Sequence, residues 1–195
     1  MFAERGVYQA TMREITTAAG QRNSSALAYH FGSREGVLWA ILAAHNRAVD
    51  AERAGYIDGG LASLSSRELV AALVLPYSAE LATEDGRNYV RVVAQLTEMF
   101  PAWRDGPLSP PALRQILAEL ESRAGGTSAS ARRERVVHAV LLLTAAMAER
   151  ARVPGGAGER GGEPAFLANL TDMLTGAIEA PTGPPLANQP RPRST

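Results

Sequence analysis

Apolar residues recur along this chain at intervals of three and four, the repeat of one face of an α-helix, and no stretch alternates with the period of two that a strand requires. Met1 to Arg5 reads as a helix already under way, stopped by Gly6. Thr11 followed three residues later by Glu14 is a capping box, and it opens a helix with Met12, Ile15, Ala18 and Ala19 on one face and Gly20 at its end. After Gln21-Arg22-Asn23, a Ser24 or Ser25 cap starts a short helix through Leu27 and Tyr29 to Phe31, closed by Gly32. Ser33 then caps a long helix with Val37, Leu38, Ile41, Leu42, His45 and Val49 facing inward, running to about Arg53.

Gly55 to Ser66 reads as a connection that ends in a Ser66 cap. The next helix carries Leu69, Val70, Leu73, Val74, Tyr77 and Leu81, and Pro76 is expected to kink it near Ala72. Asn88 to Phe100 is a further helix, with Tyr89, Val92, Val93 and Leu96 inward, broken at Pro101. Pro110-Pro111 starts another, with a stripe of Leu113, Ile116, Leu117 and Leu120. Residues 131–153 leave almost no polar face around Val136 to Leu143, so that helix is expected to be covered on all sides. The Gly-rich segment 154–162 precedes a last amphipathic helix bearing Phe166, Leu167, Leu170, Met173, Leu174 and Ile178, and the Pro-rich tail 181–195 is expected to be disordered. The pattern gives an all-α chain: short helices over residues 1–53, a larger helical domain over 54–180, then the tail.

Composition agrees with packed helices: 46% of the 195 residues are apolar but only 6% aromatic. The chain has no cysteine, which excludes disulfide scaffolds, thiolate zinc sites and a cysteine nucleophile. No signal peptide or membrane span is evident, so a cytoplasmic location is expected. Net charge is zero, yet residues 5–34 hold Arg5, Arg13, Arg22 and Arg34 against Glu14 alone, a local excess of three positive charges. His30, His45 and His138 fall on three different expected helices without metal-ligand spacing, and the Gly-rich segment lacks the strand and lysine of a phosphate loop. Neither an enzyme nor a cofactor is expected.

Two short helices joined at a tight turn can brace one on the DNA backbone while the second enters the major groove. In Phe2-Ala3-Glu4-Arg5-Gly6, Met12-Arg13-Glu14-Ile15, Ala18-Ala19-Gly20 and Tyr29-His30-Phe31-Gly32-Ser33-Arg34-Glu35, the chain closely resembles the TetR family of transcriptional regulators over residues 1–45. That resemblance implies a helix-turn-helix DNA-binding domain at 1–53 and a larger dimerisation and ligand-binding domain behind it. It implies phosphate contacts from Thr11, Tyr29, His30 and Arg34, and base-edge contacts from Arg13, Arg22, Asn23, Ser24, Ser25, Ala26 and Ala28. The stretch between Gly20 and Tyr29 is one residue longer than the commonest family pattern. Family members also carry a dozen or more residues ahead of the Phe-Ala-Glu segment, so half of the first helix is expected to be missing through a misassigned start.

The resemblance further implies a homodimer, paired through helices 131–153 and 163–179, acting as a repressor on double-stranded palindromic operator DNA. The apolar helix followed by an amphipathic one suits such a buried interface independently. A small-molecule effector is expected near the Pro76 kink, lined by Tyr77, Tyr89, Met99, Trp103 and His138. The alternative is a dimeric helical interaction or ligand-binding module that has lost DNA binding through its short N-terminus.

Overall fold

The computed structural model describes residues 1–20, 29–106, 109–153 and 163–183, and among these every regular element is helical. The helices are α1 (Phe2–Arg5), α2 (Met12–Ala18), α3 (Arg34–Ile57), α4 (Ser66–Ser78), α5 (Glu84–Gln95), α6 (Phe100–Trp103), α7 (Pro111–Arg123), α8 (Ala129–Ala151) and α9 (Glu163–Glu179), with single 3-10 turns at Leu61–Ser63, Ala79–Ala82 and Thr97–Met99. Residues 29–31 are also helical. The expected caps at Ser24 or Ser25, the segment 154–162 and most of the tail lie outside the described residues.

The starts of the helices follow local chemistry. The Thr11 hydroxyl accepts from the Glu14 amide at 3.3 Å while the Glu14 carboxylate accepts from the Thr11 amide at 2.9 Å, so the expected capping box is complete. Ser33 caps α3 by accepting from the Gly36 amide at 3.1 Å. The cap of α4 is Ser65 rather than Ser66, because only Ser65 stands three residues before Glu68 and closes a second capping box with it. Thr83 caps α5 through the Gly86 amide, which moves its start to Glu84, ahead of the expected Asn88.

Other boundaries depart from the sequence pattern. α3 passes through Gly55 to Ile57, so the domain boundary expected after Arg53 falls inside a continuous helix. The glycine costs about 1 kcal/mol in a helix interior, against which Ile57 packs on the apolar core. Pro76 is buried inside α4, and the helix changes character only after Ser78, where the 3-10 turn takes over. Pro101 does not break the chain's helical course; it sits in the first turn of α6, where its missing N–H is no loss.

α8 packs against α5, α7 and α9, and α4 against α3, α7 and α9. At their junction Leu69, Ile116, Leu117, Leu120, Met147, Leu174 and Ile178 lose essentially all contact with solvent. Each such side chain contributes about 1.5–3 kcal/mol. The expected stripe of α7 is buried as written, but Ile41 of α3 faces outward. α8 is not covered all round: His138, Leu142 and Ala145 are exposed on its outer side beside α9. Among the described residues no helix is long and apolar enough to cross a membrane.

The N-terminal segment is tied to the bundle through α5. The Val7 amide donates to Gln95 Oε1 at 2.8 Å, the Arg91 guanidinium to the Ala3 carbonyl at 3.0 Å, and the Tyr8 hydroxyl to Glu98 at 2.7 Å. Phe2, Val7, Ile15, Val37 and Leu38 join the same apolar core as the bundle.

Candidate functional site

Two places in the fold carry the residues singled out by the sequence. The first is the N-terminal corner. α2 ends at Gly20 with φ +66°, and the helical turn at 29–31 ends at Gly32 with φ +71°, both in the left-handed region that glycine enters at no steric cost. The chain then folds back sharply into α3: a Cβ on Gly36 would collide with the Phe31 carbonyl oxygen, so only glycine fits there.

Thr11, Arg13, Tyr29 and His30 are exposed at this corner, Tyr29 with 87% of its surface open, and the Tyr29 and His30 rings meet edge to face at 5.4 Å. An aromatic left that open gains nothing from the core. Arg34 is differently placed. Its guanidinium bonds the Glu35 carboxylate at 2.6 Å and also donates to the Val7 carbonyl, tying the corner to the N-terminal segment. The Glu35 backbone amide and the Arg34 guanidinium hold the Glu35 carboxyl below its ordinary pKa. A phosphate at Arg34 therefore has to compete with Glu35. Arg22, Asn23, Ser24, Ser25, Ala26 and Ala28, the expected base-edge readers, lie outside the described residues.

The second place is a pair of adjoining cavities inside the bundle, about 80 and 70 Å³. Met99 and Trp103 line the first, Tyr77, Tyr89 and again Trp103 the second. His138 does not join them. It sits on the exposed side of α8 with Ala131, Glu134, Leu142 and Ala177, because at that point of the helix Ala139 and Val140 are the residues turned inward. The four other residues expected at an effector site thus come together, and the fifth faces outward.

The inner cavity has a polar end that the hydrophobic pattern did not single out. Tyr89 donates to Asn46 Oδ1 at 2.8 Å, stacks on His45 at 4.5 Å and meets Tyr77 edge to face at 6.0 Å. Burial pushes the Tyr77 and Tyr89 hydroxyls well above their ordinary pKa, so both are proton donors at any physiological pH. Arg53 lines the same cavity and is 6% exposed. Burial lowers the pKa of its guanidinium, against the opposing pull of Tyr89, Asp50 and Tyr77.

Asp50, one turn earlier on α3, is also buried and accepts from the Ala112 amide at 3.1 Å and the Leu113 amide at 2.8 Å. Pro110 offers α7 no side-chain cap, so Asp50 caps it from another helix. The signal for these residues was present: Leu42, Asn46, Val49, Asp50 and Arg53 fall on the face of α3 that also carries Leu38, so polar groups there are bound to be buried.

No known protein family matches the chain, and no curated protein matches it.

Proposed function

We propose that this chain is a ligand-responsive DNA-binding regulator of the TetR type, acting as a homodimer. The observation that carries the reading is the N-terminal corner: a fully capped α2, left-handed glycines at Gly20 and Gly32, and a Ser33-capped α3, with Arg13, Tyr29 and His30 all open to solvent. Exposed arginine, phenol and imidazole donors on short helical elements suit phosphate and base-edge contact. The exposed strip of α8 and α9, with Leu142 40% and Met173 51% open, supports pairing with a second copy.

The bundle offers a route from effector to DNA. Leu96, Thr97 and Met99 line the outer cavity, and the neighbouring Gln95, Arg91 and Glu98 hold the N-terminal segment. A ligand that moves the end of α5 therefore moves Val7, and through the Arg34 bond to Val7 it moves the corner. The coupling is as large as the difference in ligand affinity between the two arrangements.

A second reading, a dimeric helical module that no longer reads DNA, draws on the engagement of Arg34 by Glu35. Fluorescence anisotropy separates the two. Under the regulator reading, DNA flanking the protein's own gene binds more tightly than scrambled DNA and more weakly as salt rises, and Arg22→Ala erases the preference. Equal, weak binding to both DNAs supports the second reading.

A further inference from the structure

A guanidinium is costly to bury without acceptors. Arg53 makes no hydrogen bond or ion pair with any described residue, and its Nε is sealed from solvent. Asp50, one turn away on α3, gives it no hydrogen bond and instead accepts from the first amides of α7. The Tyr77 hydroxyl, in the same cavity, is likewise fully buried and unpartnered. Tyr89 already donates to Asn46, so its hydroxyl proton is used. The inner cavity thus holds donors on Arg53 and Tyr77, among them the sealed Arg53 Nε and the Tyr77 hydroxyl, that no described residue satisfies.

The remainder of the space is mostly apolar, with Asn46, Thr97 and Thr144 on its walls. The outer cavity adjoins through Asn46, Val93, Phe100 and Trp103, and continues past Leu42 and Leu96 to Trp39. A molecule matching both parts has a hydrogen-bond acceptor bearing negative charge at one end and a compact apolar body at the other. A carboxylate fits the planar fork of an arginine with two parallel bonds and leaves a lone pair for a phenol. The two cavities together suit a body about the size of one aromatic ring or a short alkyl chain.

We propose that the bundle binds a small monocarboxylic acid, its carboxylate on Arg53 and Tyr77 and its apolar body between Phe100, Trp103 and Leu96. This names the ligand class of the effector site and rests on reading the bundle as a ligand-binding domain; it does not require that the chain bind DNA.

The test is calorimetry on the full chain without DNA, using benzoate, phenylacetate and hexanoate, each against its own primary amide. The amides keep the shape and one acceptor but lose the charge. At least one acid is expected to bind about tenfold or more tightly than its amide and to raise the melting temperature. In Arg53→Met that preference disappears, while the variant folds at least as stably because it no longer buries an unpartnered cation. Tyr77→Phe, which removes only the hydroxyl, is expected to weaken acid binding several-fold and amide binding less. The proposal is overturned if none of the acids binds, if acid and amide bind alike, or if Arg53→Met retains the preference. Anisotropy on the same preparation decides the DNA reading separately: acid binding without DNA binding sinks the regulator and leaves the ligand site standing.

Discussion

Replacing Asp50 with alanine removes a carboxylate that joins α3 to the start of α7. In the folded chain its oxygens accept from two buried backbone amides, at 2.8 and 3.1 Å, and α7 has no other side-chain cap. A hydrogen bond to a charged group contributes about 1.5–3 kcal/mol, and an ordinary N-cap loss about 1 kcal/mol. Two such bonds, with both amides left unsatisfied and the favourable field of Asp50 at Arg53 lost, put the cost at about 3–5 kcal/mol. For a chain of this size that corresponds to a fall in Tm of roughly 10 °C. Urea unfolding followed by circular dichroism reads it directly, with the midpoint lowered and the m-value unchanged. The cost should shrink when Arg53→Met is present, because the cation stranded by the loss of Asp50 is then absent. A loss under about 1 kcal/mol in the single variant, or strict additivity in the pair, would refute this account of the α3–α7 junction.

Four further outcomes follow from the structure. Gly36→Ala forces a Cβ onto the Phe31 carbonyl and should cost about 1–3 kcal/mol while weakening DNA binding more than any surface change on α3, measured by urea unfolding and anisotropy. Glu14 is held below its ordinary value of 4.5 by the Thr11 amide and hydroxyl, and Glu68 by the Ser65 hydroxyl and amide, so their stabilisation is complete above about pH 4.5 and fades as pH falls through the lowered folded values. The paired Glu14→Gln and Glu68→Gln variant should therefore show a shallower acid-side decline of Tm than the parent chain. Leu142→Glu, on the exposed side of α8, should turn a dimer into a monomer of unchanged helicity in analytical ultracentrifugation. His30→Ala should weaken binding to all DNA sequences alike in anisotropy, as the loss of a phosphate contact rather than a base contact does.

Much of the fold was legible in the sequence because its signals are local. Thr11 with Glu14, Gly20, Gly32 with Ser33, and the Leu113–Leu120 stripe each depend on residues within two turns of one another. The misplaced features depend on distant partners or on competing local rules. Gly55 looks like a stop, yet inward packing of Ile57 accompanies the passage of α3 past it. Ser65 and Ser66 are equal as isolated caps, and only the spacing to Glu68 separates them. The Asp50 cap joins residues 62 apart, which no periodicity reports.

The candidate ligand site was half legible. Tyr77, Tyr89, Met99 and Trp103 stood out as aromatic or sulfur-bearing residues at helical spacing, and they do reach the cavities. His138 stood out for lying in an apolar run, but that run has an outer face. Arg53 falls at the polar end of the expected helix, yet its register with Leu42, Asn46 and Val49 puts it inside.

The central claim, that a dimer of this chain reads a two-fold operator with its N-terminal corners, is tested most directly by hydroxyl-radical footprinting on DNA flanking its gene. A dimeric reader leaves two protected patches related by two-fold symmetry, centred about one or more helical turns apart, that vanish together in Leu142→Glu. Protection spread evenly along the DNA, or none at concentrations where the protein is dimeric, would contradict it.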